Sequence, residues 1–189
     1  MMSASHAATI LVWGDSLSAG YGIAREAAWP QLLAAKLKAE GYRYTVTNAS
    51  ISGETTAGGK SRLAAALAEH KPAVMILALG ANDGLRGQPL PAMRDNLEHM
   101  IRTAQQAGAR VLVMGMRLPP NFGPRYTGKF HDTFADVATA NKAALLPFML
   151  DGFAERREMF ISDGIHPNAD AQPLILANLW PKLRPLLRK

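Results

Sequence analysis

A serine hydroxyl is a poor nucleophile until a base takes its proton. Histidine is the usual base, and a carboxylate on its second ring nitrogen fixes the productive tautomer. The chain places these three residue types in two short clusters: Ser16 within GDSLS at 14–18, and Asp163 with His166 within DGIHPN at 163–168. Three-residue spacing lets a single turn aim Asp163 and His166 at one place, and Pro167 stops that turn from continuing as a helix. Alone, DGIHPN reads as an ordinary surface turn, and Asp15 or Ser16 as a helix cap. Two more clusters reverse that preference: NASISGET at 48–55 and GAND at 80–83. Acyl transfer needs donors for the oxygen that becomes negative, and the backbone N–H groups of Ser16 and Gly53 with the side-chain amide of Asn82 would supply three. Taken singly, Gly53 is a turn residue suited to positive φ and Asn82 a turn former or cap. Asp15 and Asp83 adjoin proposed site residues and are expected to fix their loops by local hydrogen bonds.

These clusters need a scaffold that brings distant residues to one edge. Apolar, β-branched runs recur at Thr9 to Trp13, Tyr44 to Thr47, Ala73 to Leu79, Arg110 to Met116 and Leu145 to Phe148, and read as five strands. Helical spacing lies between them, as in Trp29, Leu32, Leu33 and Leu37, or Leu97, Met100, Ile101 and Ala104. Strands alternating with helices argue for an α/β fold with a parallel sheet covered on both faces, because parallel strands need crossover connections. Ligands of such sheets bind at the carboxyl ends of the strands. The clusters holding Ser16, Gly53 and Asn82 each follow an expected strand, so one edge can gather them. No repeat or linker divides the sequence, which reads as a single domain over 1–189.

Composition narrows the classes. At 189 residues with 48% hydrophobic and 19% charged residues, the chain is globular in type and long enough to bury a core without disulfides. The absence of cysteine excludes a disulfide, a thiolate metal site and a cysteine nucleophile. His6, His70, His99 and His131 have no paired spacing with carboxylates that would signal a metal, so no metal is expected. A net charge of +6 invites a nucleic-acid reading, but its densest group, Lys182, Arg184, Arg188 and Lys189, sits at the end of an expected helix as a solvated basic tail. No nucleic-acid partner and no stable membrane anchor are expected. Ser5-His6-Ala7 before Ala8 has the small-residue form that ends a cleaved export signal. The compartment is therefore read as periplasmic or secreted if such a signal was removed, and cytoplasmic otherwise.

Two rival motifs fail on single positions. The nucleophile elbow G-x-S-x-G requires glycine where Ser18 stands, and the phosphate loop suggested by GGKS at 58–61 requires glycine where Glu54 stands. The ordered blocks GDSLSAGYGI, AWPQLL, NASISGETT, GANDGLRG, RLPPNFGPRY and DGIHPNADAQP instead resemble the SGNH or GDSL hydrolase family over nearly the whole chain. They are most similar to its bacterial thioesterase I, lysophospholipase and arylesterase group. The resemblance implies a flavodoxin-like three-layer α/β/α sandwich with a central five-stranded parallel sheet. It also implies Ser16 as nucleophile, His166 as base, Asp163 as its orienting acid, and Ser16, Gly53 and Asn82 as the oxyanion hole. The activity it implies is cleavage of small-molecule carboxylic esters and thioesters, lysophospholipids among them, with no cofactor. Ala81 stands where some relatives have a second glycine, and Pro119-Pro120 stiffens the loop before Asn121. An acyl chain must shelter somewhere, and Leu85, Leu118, Pro119 and Phe122, in loops that follow strands, are expected to line its groove. The other readings are a carbohydrate-ester deacetylase of the same family and a noncatalytic protein that holds lipid or nucleic acid.

Overall fold

The computed structural model describes residues 7–189; His6, with Ser5 of the possible export signal, lies outside the described residues. In chain order the regular elements are β1 (Ala8–Gly14), α1 (Ser16–Ala19), α2 (Trp29–Ala39), β2 (Tyr44–Asn48), α3 (Thr56–His70), β3 (Val74–Ala78), α4 (Ala81–Leu85), α5 (Leu90–Gln106), β4 (Arg110–Met114), α6 (Pro124–Ala140), β5 (Ala144–Leu146) and α7 (Gln172–Leu183), with short 3-10 turns between them. The five strands form one parallel sheet in the order β2-β1-β3-β4-β5, the flavodoxin-like arrangement. Ile10 pairs with Val46 on one side and with Val74 on the other.

Alternation along the strands separates two cores. Ile10 and Val12 pack with Ile76 and Leu112 against Leu33 of α2 and Ile175 of α7. Leu11 and Trp13 pack with Met75 and Val113 on the opposite face, against Leu63 of α3, Ile101 of α5 and Phe134 of α6. Successive side chains of a strand point to opposite faces, and β1 and β3 are buried on both, so their sequences are continuously apolar. Full burial of one such large side chain stabilises the fold by roughly 1.5–3 kcal/mol.

The expected strands are in place with shifted ends. β4 stops at Met114 rather than Met116, and β5 spans 144–146 rather than 145–148. Pro147 has no N–H to continue the ladder, and Gly115 bonds instead to Leu146 O through its N–H and to Met149 N through its carbonyl. The basic tail is exposed but not free of the fold. The Arg188 N–H donates to the Tyr44 hydroxyl at 3.0 Å, and the Lys189 ammonium lies 5.3 Å from the Tyr42 ring centroid, beside the edge strand β2. Among the described residues no helix is long and apolar enough to cross a membrane.

Candidate active site

β1 lies at the point where the strand order reverses, so the turn that leaves it opens into a crevice between the turns that leave β2 and β3. Ser16 is the first residue of α1 at that turn. Asp15 caps the helix, its Oδ1 accepting the Leu17 N–H at 3.0 Å, which fixes the backbone that carries the Ser16 hydroxyl. Asp15 is 1% exposed, and burial pushes its carboxyl up to about 6 although the Leu17 N–H pulls the other way.

The fourth cluster reaches this crevice from the far end of the chain. Its loop is closed by hydrogen bonds from Ile161 N to His166 O at 2.9 Å and from Asn168 N to Met159 O at 2.8 Å. It is pinned to the remaining fold by Gln172, whose Nε2 donates to Pro167 O at 3.3 Å while its Oε1 accepts the Trp29 N–H at 3.0 Å. Asp163 Oδ1 accepts the N–H groups of Ile165 at 2.8 Å and His166 at 3.0 Å, and Oδ2 takes the His166 Nδ1–H at 2.6 Å. With Nδ1 protonated, Nε2 is the acceptor of the Ser16 hydroxyl, 2.9 Å away. The N–H groups of His166 and Ile165, with the His166 ring, hold the Asp163 carboxyl down to about 2, so it is ionised at neutral pH. Two clusters separated by 150 positions thus form one hydrogen-bonded chain, Ser16 to His166 to Asp163.

The two other clusters flank Ser16, one on each side. Gly53 follows β2 with φ of +79°, the left-handed region that favours glycine. Asn82 sits in the first turn of α4 after β3, its Nδ2 donating to Glu54 O at 3.0 Å and lying 3.4 Å from Asp15 Oδ2. Several residues at this edge carry no catalytic signal in the sequence. The Tyr21 ring centroid is 4.6 Å from that of His166, and the Arg86 Nη2 donates to Gly53 O at 3.0 Å. Glu54 is paired with Arg62, whose guanidinium covers the Trp13 ring at 3.6 Å. Tyr21, Glu54 and Arg86 fall inside the blocks GDSLSAGYGI, NASISGETT and GANDGLRG, the signal that could have found them. Asp83 was expected to act locally, but its carboxyl oxygens take the N–H and hydroxyl of Thr56 at the start of α3.

The four residues expected to line an acyl groove differ in exposure. Leu85 is exposed beside Asn82, and Pro119 is exposed too. Half-buried Phe122 stacks on Tyr126 beside a hollow of about 390 Å³. Leu118 is 8% exposed and packs in the α3/α5/α6 core. The physical reason is Gly84, where an added Cβ would lie 2.9 Å from Leu118 Cδ2 and 2.5 Å from Phe130 Cε2. α4 has no side chain there, so Leu118 and Phe130 pack directly against its backbone.

A doubly wound sheet that holds a Ser–His–Asp chain at its switch point defines an α/β serine-hydrolase type of protein. The chain belongs to the GDSL-like lipase/acylhydrolase family, which it matches over residues 12–173, and it is an ester-hydrolysing enzyme of that family. It is 50% identical over 181 residues to esterase TesA of Pseudomonas aeruginosa, a match covering 96% of this chain and 90% of that one. It is 40% identical over 184 residues to thioesterase 1/protease 1/lysophospholipase L1 of Escherichia coli K12, covering 97% of this chain and 87% of that one. The crystal structure of a TesA superposes with a TM-score of 0.93 at 50% identity, covering 95% of this chain and 99% of that one.

Proposed function

We propose that this protein cleaves carboxylic esters and thioesters through an acyl-enzyme on Ser16. The observation that carries the reading is the unbroken chain from Ser16 Oγ to His166 Nε2 and from His166 Nδ1 to Asp163 Oδ2, at 2.9 and 2.6 Å. As Ser16 Oγ attacks the carbonyl carbon, its proton passes to His166 Nε2, and the ionised Asp163 stabilises the imidazolium that forms. The carbonyl oxygen becomes negative beside the N–H groups of Ser16 and Gly53 and the Asn82 amide, the three oxyanion donors. Collapse expels the alkoxide or thiolate, which takes the proton from His166. Water then attacks the acyl-Ser16 ester with His166 as base, releasing the acid and restoring the serine. The exposed apolar side chains Tyr21, Ile51, Leu85 and Ile165 support an acyl or aryl group as the part of the substrate held at the crevice rim. A sugar-ester deacetylase is not favoured, because the relatives at 50% and 40% identity carry esterase and thioesterase names.

The test is covalent. A fluorophosphonate should label Ser16 and stop turnover of p-nitrophenyl butyrate and butyryl-CoA together, and Ser16→Ala should lower kcat on the order of 10⁶-fold while staying folded. Labelling elsewhere, or retained turnover in the folded variant, would overturn the assignment.

A further inference from the structure

We propose that Asp83 and Thr56 are positioning residues that set the oxyanion hole by stapling the turn after β3 to the turn after β2. The proposal rests on the oxyanion roles of Gly53 and Asn82 in the reading above. Asn82 and Asp83 are consecutive in α4 and therefore point about 100° apart around the helix. Asn82 reaches Glu54 O at 3.0 Å, whereas Asp83 turns away into the core, where it is 1% exposed. There its Oδ2 accepts the Thr56 N–H at 2.9 Å and its Oδ1 the Thr56 hydroxyl at 2.5 Å. One helical turn further on, Arg86 donates to Gly53 O at 3.0 Å. Residues 82, 83 and 86 after β3 thus hold residues 54, 56 and 53 after β2, two strands that have β1 between them. Asn96 of α5 completes the network, its Nδ2 donating to Thr56 Oγ1 at 3.2 Å.

Local helix capping accounts for only part of this arrangement. Thr55 is the N-cap of α3, its hydroxyl accepting the Gly58 N–H. The Thr56 N–H is another first-turn donor left open, and its partner comes from α4 together with an acceptor for the Thr56 hydroxyl, which no helix end requires. Burying a carboxyl is costly unless hydrogen bonds compensate, and the two partners here come from a residue 27 positions away in another element. What the contact achieves is a fixed separation between two donors that must meet one developing charge. Ile51 to Gly53 are exposed, so the turn that carries Gly53 depends on such links for its position. An oxyanion donor displaced by a fraction of an ångström loses its advantage in the transition state while substrate binding is little altered.

The experiment is a double-mutant cycle on the full chain, with p-nitrophenyl butyrate turnover expressed per site titrated by fluorophosphonate. Thr56→Val keeps the shape and removes the hydroxyl, Thr56→Ser restores it, and each is made alone and with Asn82→Ala. The expected result is a fall in kcat on the order of tenfold for Thr56→Val with KM within about twofold. Thr56→Ser should return kcat to within about twofold of wild type, and Thr56→Val should cost less than about twofold once Asn82 is alanine. If the same tenfold loss persists in the Asn82→Ala background, or if Thr56→Val lowers only the melting temperature, the staple has no part in the oxyanion hole and the proposal is overturned. Asp83→Asn, which keeps an acceptor for the Thr56 N–H, takes the place of Thr56→Val should that variant not fold, with the same criteria. Retained turnover in folded Ser16→Ala would overturn the Ser16 reading and this proposal together, whereas additive losses beside an inactive Ser16→Ala overturn this proposal alone.

Discussion

Asp15 and Asp163 are both carboxyls close to Ser16 and His166, and their surroundings push them in opposite directions. Asp163 accepts two backbone N–H groups and the imidazole N–H and is held down to about 2. Its stabilising contribution is present above its ordinary value of 3.8 and is lost as pH falls toward 2. Asp15 is buried and raised to about 6 from the same ordinary value of 3.8. Between about pH 4 and 6 the unfolded chain releases the Asp15 proton while the folded chain keeps it, so folding becomes less favourable as pH rises through that window. Above it the full cost, on the order of 3 kcal/mol, is present. Asp15→Asn keeps an acceptor for the Leu17 N–H and removes the titration. Urea unfolding should therefore find the variant more stable than wild type above about pH 6, with the gain shrinking toward zero near pH 4. A difference that stays constant across this range would show that Asp15 does not titrate there.

Among the elements, those closest to the sequence pattern were the easiest to read. β1 and β3 are covered on both faces, and their unbroken apolar runs announce this; α5 carries its core residues at the expected helical spacing, and α2 does so at Trp29, Leu33 and Leu37 while Leu32 stays half-buried outside the core. Ser16, Gly53 and Asn82 were legible at one edge because parallel topology sends the turns after β1, β2 and β3 there, whereas Asp163 and His166 were joined to them only by the chemistry a serine nucleophile needs and by the family resemblance. The Asp83–Thr56 contact was not legible, since hydrogen bonds between elements leave no periodic trace in either segment. The burial of Leu118 was not legible for a related reason: it lies in the loop after β4 beside two prolines, and nothing local shows that Gly84 of α4 leaves room for it. Its burial changes what its removal should do. Leu118→Ala is expected to cost about 2–4 kcal/mol in denaturant unfolding. At a temperature where it remains folded, it should leave the ranking of acetyl, butyryl and octanoyl p-nitrophenyl esters unchanged. A selective loss of octanoyl turnover without loss of stability would return Leu118 to the groove.

Across the whole molecule, the apolar residues divide between two closed cores and one open rim. The exposed large hydrophobics among the described residues are Tyr21, Ile51, Leu85 and Ile165. Ile51 and Ile165 lie within two of the polar clusters, Tyr21 and Leu85 lie just after the other two, and each is within five positions of Ser16, Gly53, Asn82 or His166. Scattered exposed leucines or isoleucines on a surface need no explanation, but here all four adjoin the proposed site residues in sequence, and Tyr21 lies against His166, which favours an apolar rim where a substrate would lie. An acyl chain that covers this rim gains about 0.8 kcal/mol for each methylene it removes from water, which is up to roughly fourfold in kcat/KM per carbon. The p-nitrophenyl ester series should therefore rise steeply from acetyl and flatten once the chain extends past the rim. Ile51 is a useful probe because it belongs to the rim and to neither the Ser16–His166–Asp163 chain nor the Asp83–Thr56 contact. Ile51→Ser should reduce the slope of log kcat/KM against chain length and change acetyl turnover least, since a two-carbon acyl group covers little of the rim. Phe122→Ala, at the 390 Å³ hollow beside Tyr126, provides the contrast. A slope that falls with Phe122→Ala and not with Ile51→Ser would move the acyl chain from the rim into that hollow.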